Sequence, residues 1–218
     1  MYSVGMRLMM ISDYRTNIGG IESYIHHTAQ LLRKNDREVL VVGLSCKAGI
    51  INRLKSFLLV LTAFNLPWGV YILIRCFVYR PQVVRLHSVS RFLGWFPIMM
   101  VGCYKLVFPD TKILMMYHDL GYVHPYPSLL TDEKQVLPWS FDHWIDMTYS
   151  YLQYKSLIGR LIGYYMATLK YLSLSMIKGM LQIIVDTHLV PSSFMIKYFI
   201  DWGLEKDSIN VLPHYVVE

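Results

Sequence analysis

The sequence predicts an α/β protein with a Rossmann-like parallel sheet and helices on both faces, formed as a single domain over residues 1–218. Three observations carry this prediction. Short apolar, strand-like runs alternate with segments of helical periodicity, a pattern that implies right-handed βαβ crossovers. The first run passes through a glycine turn, residues 17–20, into a helical segment. A length of 218 residues also suits one hydrophobic core.

The elements follow in order along the chain. Strands are predicted at residues 6–12, 38–44, 82–87, 112–117, 186–190 and 208–212. Helices are predicted at residues 21–32, 92–107, 145–180 and 192–202, with hydrophobic helices at about 53–79 and a helical insertion at about 141–182. The Pro-, His- and aromatic-rich residues 122–144 are predicted to form a long loop with helical pieces.

Three turns that follow predicted strands carry glycine or polar side chains. They are residues 13–20, 87–90 and 118–121. In open parallel sheets, ligands bind beyond the carboxyl ends of the strands. We therefore expect these three turns to meet along one ligand-binding rim.

Composition excludes several classes of protein. The chain is 54% hydrophobic and 17% charged, which is too apolar for disorder and leaves apolar surface to spare. Its net charge of +6 is scattered, which fits phosphorylated ligands or an anionic membrane surface, and no nucleic-acid-binding motif accompanies it. Cys46, Cys76 and Cys103 show no metal or disulfide spacing, and the N-terminal residues lack a secretion signal. These features predict a cytoplasmic protein.

One segment, residues 57–78, is apolar enough to raise the question of a membrane span. Asn65, Pro67 and Gly69 interrupt its centre, and Arg75 lies inside it. Because proline breaks a helix, we predict two short helices that are buried or rest on a membrane surface. An integral membrane protein anchored by this segment remains the alternative.

Gly19 and Gly20 lie where a strand turns into a helix. Bare backbone N–H groups and the positive end of the helix dipole at this place let a phosphate approach closely. The spacing alone fits contact of both glycines with a phosphate as well as it fits a purely structural turn. The alternative is an ordinary tight turn that needs glycine for positive φ. Glu22, in the first turn of the same helix, is interpreted as structural, since the dipole favours a carboxylate there.

Two pairs of polar residues follow the third and fourth predicted strands. His118 and Asp119 are predicted to be catalytic: the imidazole would hydrogen-bond a substrate, and the carboxylate would orient it. His87 and Ser88 are predicted to bind substrate at the same rim. The alternative for each histidine is a structural role at a strand end.

No metal motif accompanies these residues. His124, Asp142 and His143 match no metal-ligand spacing, so we predict neither a metal site nor a cofactor. No nucleophile elbow, P-loop or complete dinucleotide fingerprint occurs either, which argues against an esterase, a kinase or a dehydrogenase.

Four segments, which are spread over nearly the whole chain, resemble the N-terminal domain of the retaining family-4 glycosyltransferases. The match is in the order and approximate spacing of the family, although Gln82 stands where the family commonly has Asp. The segments are Ile18-Gly19-Gly20-Ile21-Glu22, residues 81–88, Met116-Tyr117-His118-Asp119, and residues 190–213.

The resemblance implies one half of a GT-B fold, in which two Rossmann-like domains face each other across a cleft. It implies transfer of a sugar from a nucleotide-sugar to a glycan or lipid-linked acceptor with retention, with the donor diphosphate at Gly19 and Gly20 and His118 at the cleft. In the family, a second domain holding the main nucleotide-sugar site follows Pro213. We expect that C-terminal domain to be absent from this chain and supplied by a partner protein or by the remainder of a longer protein.

The family's membrane-proximal acceptors imply peripheral contact with the inner face of the membrane. The alternative function is a non-catalytic, membrane-associated binding subunit that keeps a glycosyltransferase-like fold. Sequence predicts no nucleic-acid partner for either function.

Overall fold

A computed structural model describes residues 5–14, 19–44, 66–87, 94–123, 140–152 and 157–213. The described residues form a six-stranded sheet in the order β2-β1-β3-β4-β5-β6, with every neighbouring pair parallel. This confirms the Rossmann-like class. The strands are β1 (Arg7–Tyr14), β2 (Glu38–Leu44), β3 (Val83–His87), β4 (Lys112–Met116), β5 (Thr187–Val190) and β6 (Ile209–Val211).

Helices in the described part of the chain cover both faces of the sheet, as predicted. They are α1 (Gly20–Lys34), α2 (Leu66–Tyr79), α3 (Trp95–Val107), α4 (Phe141–Leu152), α5 (Leu157–Ile184) and α6 (Ile196–Asp201). Helix α1 packs on one face against Leu8, Met10 and Met116. Helices α2, α3, α5 and α6 contribute to the larger core on the opposite face, where Met9 and Met115 lie.

The helix boundaries show where local signals succeeded and where they failed. Gly203 has φ of 106° and ends the helical segment before it, as predicted. Helix α4 begins at Phe141, at the predicted start of the helical insertion, so residues 141–144 are helical and only the loop prediction, which extended to residue 144, ran too far. Ser140 is the N-cap of this helix: its Oγ accepts a hydrogen bond from His143 N at 3.3 Å, and its carbonyl accepts one from Trp144 N at 3.1 Å.

The hydrophobic segment is partly visible. Helix α2 begins at Leu66, so Pro67 sits in its first turn, where proline is tolerated, and the first predicted helix lies outside the described residues. No helix within the described ranges combines the length and the hydropathy that crossing a bilayer requires.

Asp186 links neighbouring elements at the edge of the sheet where β4 and β5 begin. Its Oδ2 accepts from Ile113 N and from Lys105 Nζ, each at 2.7 Å. Partial burial acts to raise the pKa of Asp186, but these two donors outweigh it and hold that pKa below its usual value. The C-terminal end of α3 is thereby fixed to the start of β5.

A buried polar pair lies within the larger core. Tyr117 Oη and His188 Nδ1 are 3.0 Å apart, and the two rings stack with an interplanar angle of 19°. Burial lowers the pKa of His188 from 6.5 to about 4 and raises that of Tyr117 well above its usual value. Both side chains are therefore neutral near neutral pH.

The buried His188 predicts a loss of stability in acid. The unfolded chain takes up a proton near pH 6.5, whereas the folded chain resists it down to about pH 4. Stability attributable to this residue is therefore full above pH 6.5 and falls as the pH drops towards 4. The loss reaches about 3 kcal/mol.

Urea unfolding at about pH 7 and about pH 4 measures this effect. The variant His188→Gln keeps a polar side chain that does not titrate, so its stability should change less between the two pH values. Equal losses for the wild type and the variant would contradict a neutral, buried His188.

Candidate functional site

The order of the strands creates a crevice beside β1. From β1 the chain passes through α1 to β2 on one side, and it returns to β3 on the other side of β1. The turns that leave β1 and β3 therefore diverge, and the crevice between them is the usual ligand position in such sheets. Gly19 and Gly20 follow β1, and His87 is the last residue of β3. The predicted rim thus lies at this switch point.

Neither glycine at the start of α1 is required by backbone conformation. Gly19 has φ of −162° and ψ of −179°, an extended geometry open to any residue. Among the described glycines only Gly94 and Gly203 have positive φ, so Gly20 does not need glycine for its backbone conformation either. A Cβ on Gly20 would meet no atom within 4 Å. The alternative that these glycines are needed for a turn with positive φ is therefore wrong. What Gly20 provides is open space beside the N-terminus of α1.

Glu22 occupies part of this N-terminus. Its Oε2 would lie 2.9 Å from a Cβ placed on Gly19. The carboxylate therefore lies beside the first backbone of α1, where the dipole stabilises it. An incoming anion would meet this charge first, and the flexible side chain would have to swing aside.

His87 and His118 meet beneath α1. Met116 is the register partner of His87, and His118 lies two residues beyond Met116, which puts both histidines on the same face of the sheet. His87 Nδ1 and His118 Nε2 are 2.9 Å apart, with the rings stacked at 23°. One nitrogen must donate and the other must accept, so the pair holds at most one extra proton. His87 is fully buried, whereas His118 is partly exposed.

Tyr24 and Arg85 complete the cluster and were not predicted as site residues. Tyr24 lies one helical turn after Gly20, and its ring packs edge-on against His118 with centroids 5.4 Å apart. Arg85 Nη2 donates to Tyr24 Oη at 3.0 Å, and its guanidinium lies 5.7 Å from the centre of the Tyr24 ring. The available signal was a charged residue inside an otherwise apolar strand.

Arg85 brings a buried positive charge to the site. It is 7% exposed, and in the described part of the chain no carboxylate forms an ion pair with it. A buried guanidinium without a counter-charge is costly, and an anion bound nearby would relieve that cost. The buried hydroxyl of Ser12, the register partner of His87, likewise has no hydrogen-bond partner there. Both features favour an anionic, hydrogen-bonding ligand.

The remaining predicted site residues fall in different places. Asp119 Oδ1 accepts from Gly121 N at 2.8 Å, so this carboxylate stabilises the turn after β4. The hydrogen bond described for His118 is with His87. Ser88 lies outside the described residues. The catalytic roles of His118 and Asp119 and the binding roles of His87 and Ser88 stay predictions.

Within the described ranges, no group of three or more His, Cys, Asp or Glu side chains is arranged to hold a metal ion. Asp142 and His143 belong to the start of α4, and His124 lies outside those ranges. The nitrogens of His87 and His118 already face each other, which leaves no room for an ion between them.

The fold and the site together define a Rossmann-like α/β domain with an anion-compatible crevice at its topological switch point. No protein-family model and no curated protein matches the sequence.

Among solved structures, the chain is similar to Anabaena Alr3699/HepE in complex with UDP, with 10% identity and a TM-score of 0.48 over 97% of this chain and 44% of that one. It also matches the Escherichia coli transcriptional repressor ascG, with 11% identity and a TM-score of 0.26 over 95% of this chain and 78% of that one. The chain spans less than half the length of Alr3699/HepE. The fold class stated here rests on the sheet itself.

Proposed function

We propose that this chain is the acceptor-side half of a GT-B glycosyltransferase of the retaining family-4 type. It would transfer a sugar from a nucleotide-sugar to a glycan or lipid-linked acceptor. The observation that carries the proposal is the open N-terminus of α1 at Gly20, directly above the cluster of Arg85, His87 and His118. The motif resemblance of the sequence supplies the reaction.

The N-terminus of α1 and Arg85 suit the charge that develops during sugar transfer. When a nucleotide-sugar reacts, the departing diphosphate gains negative charge, and donors that are fixed in advance stabilise it best. Gly20 lets the backbone N–H groups of α1 come close to a phosphate, because no side chain intervenes. The guanidinium of Arg85 adds a positive potential beneath them. Glu22 would move aside when the diphosphate arrives.

His118 is the group proposed to contact the reacting sugar or the acceptor hydroxyl. His87 lies behind it, fully buried, and holds its Nε2 through the 2.9 Å hydrogen bond. In this proposal His118 is therefore catalytic and His87 is a positioning residue. Asp119 would act on His118 through the turn that it stabilises, rather than as a second reacting group.

A complete reaction would need a second Rossmann-like domain, which would hold the nucleoside of the donor. We propose that a partner protein or the remainder of a longer protein supplies it. We also propose peripheral contact with a membrane at its inner face, which would bring the chain to lipid-linked acceptors. Exposed apolar side chains on α2 and α5 support such contact.

A second candidate function is a non-catalytic, membrane-associated binding subunit. The position of Glu22 favours it, because a carboxylate at the N-terminus of α1 repels a phosphate. The two functions differ in whether the crevice accepts a diphosphate, so binding of a diphosphate is the first experiment.

We expect Gly20→Ala to strengthen folding and weaken binding of a diphosphate. Alanine fits the open space at Gly20 and should stabilise the chain by about 0.5 kcal/mol. Its methyl group would stand between the backbone and a phosphate and should weaken binding about tenfold. Titration of the chain with inorganic pyrophosphate, followed by NMR, measures the affinity, and urea unfolding measures the stability.

Glu22→Gln provides the matched comparison of opposite sign. Removing the competing charge should raise pyrophosphate affinity about threefold. Unsaturable binding by the wild type, or equal affinities for all three proteins, would contradict a diphosphate site and favour the binding subunit.

A further inference from the structure

The edge of the sheet opposite the proposed crevice contains a cavity of about 440 Å³. It lies where β1, β3 and β4 begin, and its walls include Arg7, Arg80, Tyr104, Val107 and Asp110. Two guanidiniums against one carboxylate leave a net positive charge. Such a cavity is suited to a phosphate group, which guanidinium groups bind with paired hydrogen bonds.

The two arginines differ in how their guanidinium groups are held before a ligand binds. Arg7 Nη1 donates to the carbonyl of Tyr79 at 2.9 Å, which fixes the direction of its guanidinium, while its Nε is buried without a partner among the described residues. Arg80 is exposed and forms no ion pair within the described part of the chain. Burial has the largest effect on the pKa of Tyr104 and raises it, whereas the guanidiniums of Arg7 and Arg80 both act to lower that pKa. The two charges therefore converge on the same phenol.

Arg80 also has an unfavourable backbone conformation. It follows the last residue of α2 with φ of 51°, a left-handed geometry that an arginine seldom adopts and that glycine adopts without strain. A side chain retained at a position suited to glycine indicates a use for that side chain. The cavity provides one, because the guanidinium of Arg80 lines it.

Highly exposed apolar side chains lie at the helix ends on the same edge of the sheet as this cavity, and one of them, Val107, lines it. Helices α2, α3 and α5 each lead into the next strand, so their C-terminal ends meet at this same edge. Contacts confirm it: the Phe77 and Tyr104 rings lie 5.7 Å apart, and Lys105 Nζ donates to the carbonyl of Ile184 at 3.0 Å. The exposed side chains at these three helix ends are Val78 at 73%, Leu106 at 85%, Val107 at 57% and Ile183 at 83%.

We propose that this edge docks on an anionic lipid bilayer, with a lipid phosphate bound between Arg7 and Arg80 and with Val78, Leu106 and Ile183 entering the boundary between headgroups and acyl chains. A cationic cavity beside exposed apolar side chains matches that boundary, where phosphates lie above hydrocarbon. The inference deepens the proposed membrane contact and rests on it. Because this edge lies opposite the crevice, docking here would tether the chain to the membrane without pressing the crevice against it, so the inference requires neither the crevice nor sugar transfer.

The test compares binding of the full chain to phosphatidylcholine vesicles and to vesicles rich in phosphatidylglycerol, by flotation. The wild type should bind the anionic vesicles more strongly. Arg80→Gly should raise Tm by about 2 to 4 °C because the strain is relieved. The same substitution should lower partition into anionic vesicles about fivefold. A stability gain coupled to a binding loss cannot result from misfolding.

Asp36→Gly is the control for the backbone. Asp36 has φ of 56° and is exposed after α1, so glycine should raise Tm there too, although by less because aspartate tolerates this geometry better than arginine, and should not lower vesicle binding. Lys197→Ala is the control for charge, since Lys197 is exposed near the start of α6, which follows the carboxyl end of β5 at the other edge of the sheet, and its loss should change partition little. Leu106→Ser should lower partition about tenfold and leave binding of glycerol phosphate unchanged.

Three results would overturn the inference. Unchanged partition of Arg80→Gly, or an equal loss in Lys197→Ala, would place the membrane contact elsewhere on the chain. Binding of glycerol phosphate without binding to vesicles would make the ligand a soluble phosphate. If the wild type bound neither kind of vesicle, the proposed membrane contact would be wrong. Pyrophosphate binding would still test the crevice separately.

Discussion

Replacing His118 with alanine is expected to lower sugar transfer at least about a hundredfold, the scale of a lost catalytic hydrogen-bonding group. The imidazole is held by His87 and flanked by Tyr24, so no other side chain described at the site can take its place. Initial rates of transfer from labelled UDP- and GDP-sugars, with the complementing domain present, measure the effect.

His27→Ala is the matched control for this substitution. His27 is an exposed histidine on α1, and its Nδ1 contacts only the local carbonyl of Ser23 among the hydrogen bonds described, at 2.9 Å. Its loss should leave transfer unchanged. Equal rates for His118→Ala and the wild type would remove the catalytic role from His118 and leave the His87–His118 pair as a structural element.

Phe199→Ala is expected to cost about 3 to 5 kcal/mol of folding free energy, the range for emptying a buried aromatic site. Phe199 is fully buried, and its ring lies 4.0 Å from that of Tyr117, centre to centre. This contact joins α6 to the residue that follows β4. A cost of this size in a single cooperative transition would show that the segment from β5 to β6 belongs to the same core, as a single domain requires.

Ile200→Ala tests whether that cost is specific. Ile200 is the next residue of α6, but it is 36% exposed, so its truncation should cost less than about 1 kcal/mol. Urea unfolding of both variants gives the comparison. Two separate transitions, or similar small costs, would contradict the single core.

The sheet could be predicted from sequence because its signals are local and repeated. The strand Glu38–Leu44 was predicted to the residue, since an apolar run between a polar turn and a break has few other arrangements. Residues 141–144 were placed both in the predicted loop and in the predicted helical insertion, because aromatic residues obscured the helical period and Ser140 was not recognised as a helix cap. Hydrogen bonds at helix ends depend on geometry that composition does not reveal.

The site could be predicted only in part. The position of the ligand-binding rim could be predicted from the rule that ligands bind at the carboxyl ends of parallel strands. That rule identified Gly20, His87 and His118 as candidate site residues. The register that pairs His87 with Met116 also determines that the two histidines touch, and no sequence pattern supplies that register. Arg85 was overlooked because a charge within a strand is ordinarily placed in solvent, whereas here the Tyr24 hydroxyl holds it beneath α1.

The measurement that tests the proposed function most directly is complementation of sugar transfer. The chain is assayed with labelled nucleotide-sugars and a lipid extract, alone and together with a candidate C-terminal domain, such as a Rossmann-like protein encoded beside it. We expect transfer only when both are present, and loss of that transfer with His118→Ala. No transfer in any pairing, while pyrophosphate and vesicle binding remain intact, would contradict an enzyme and leave a binding subunit.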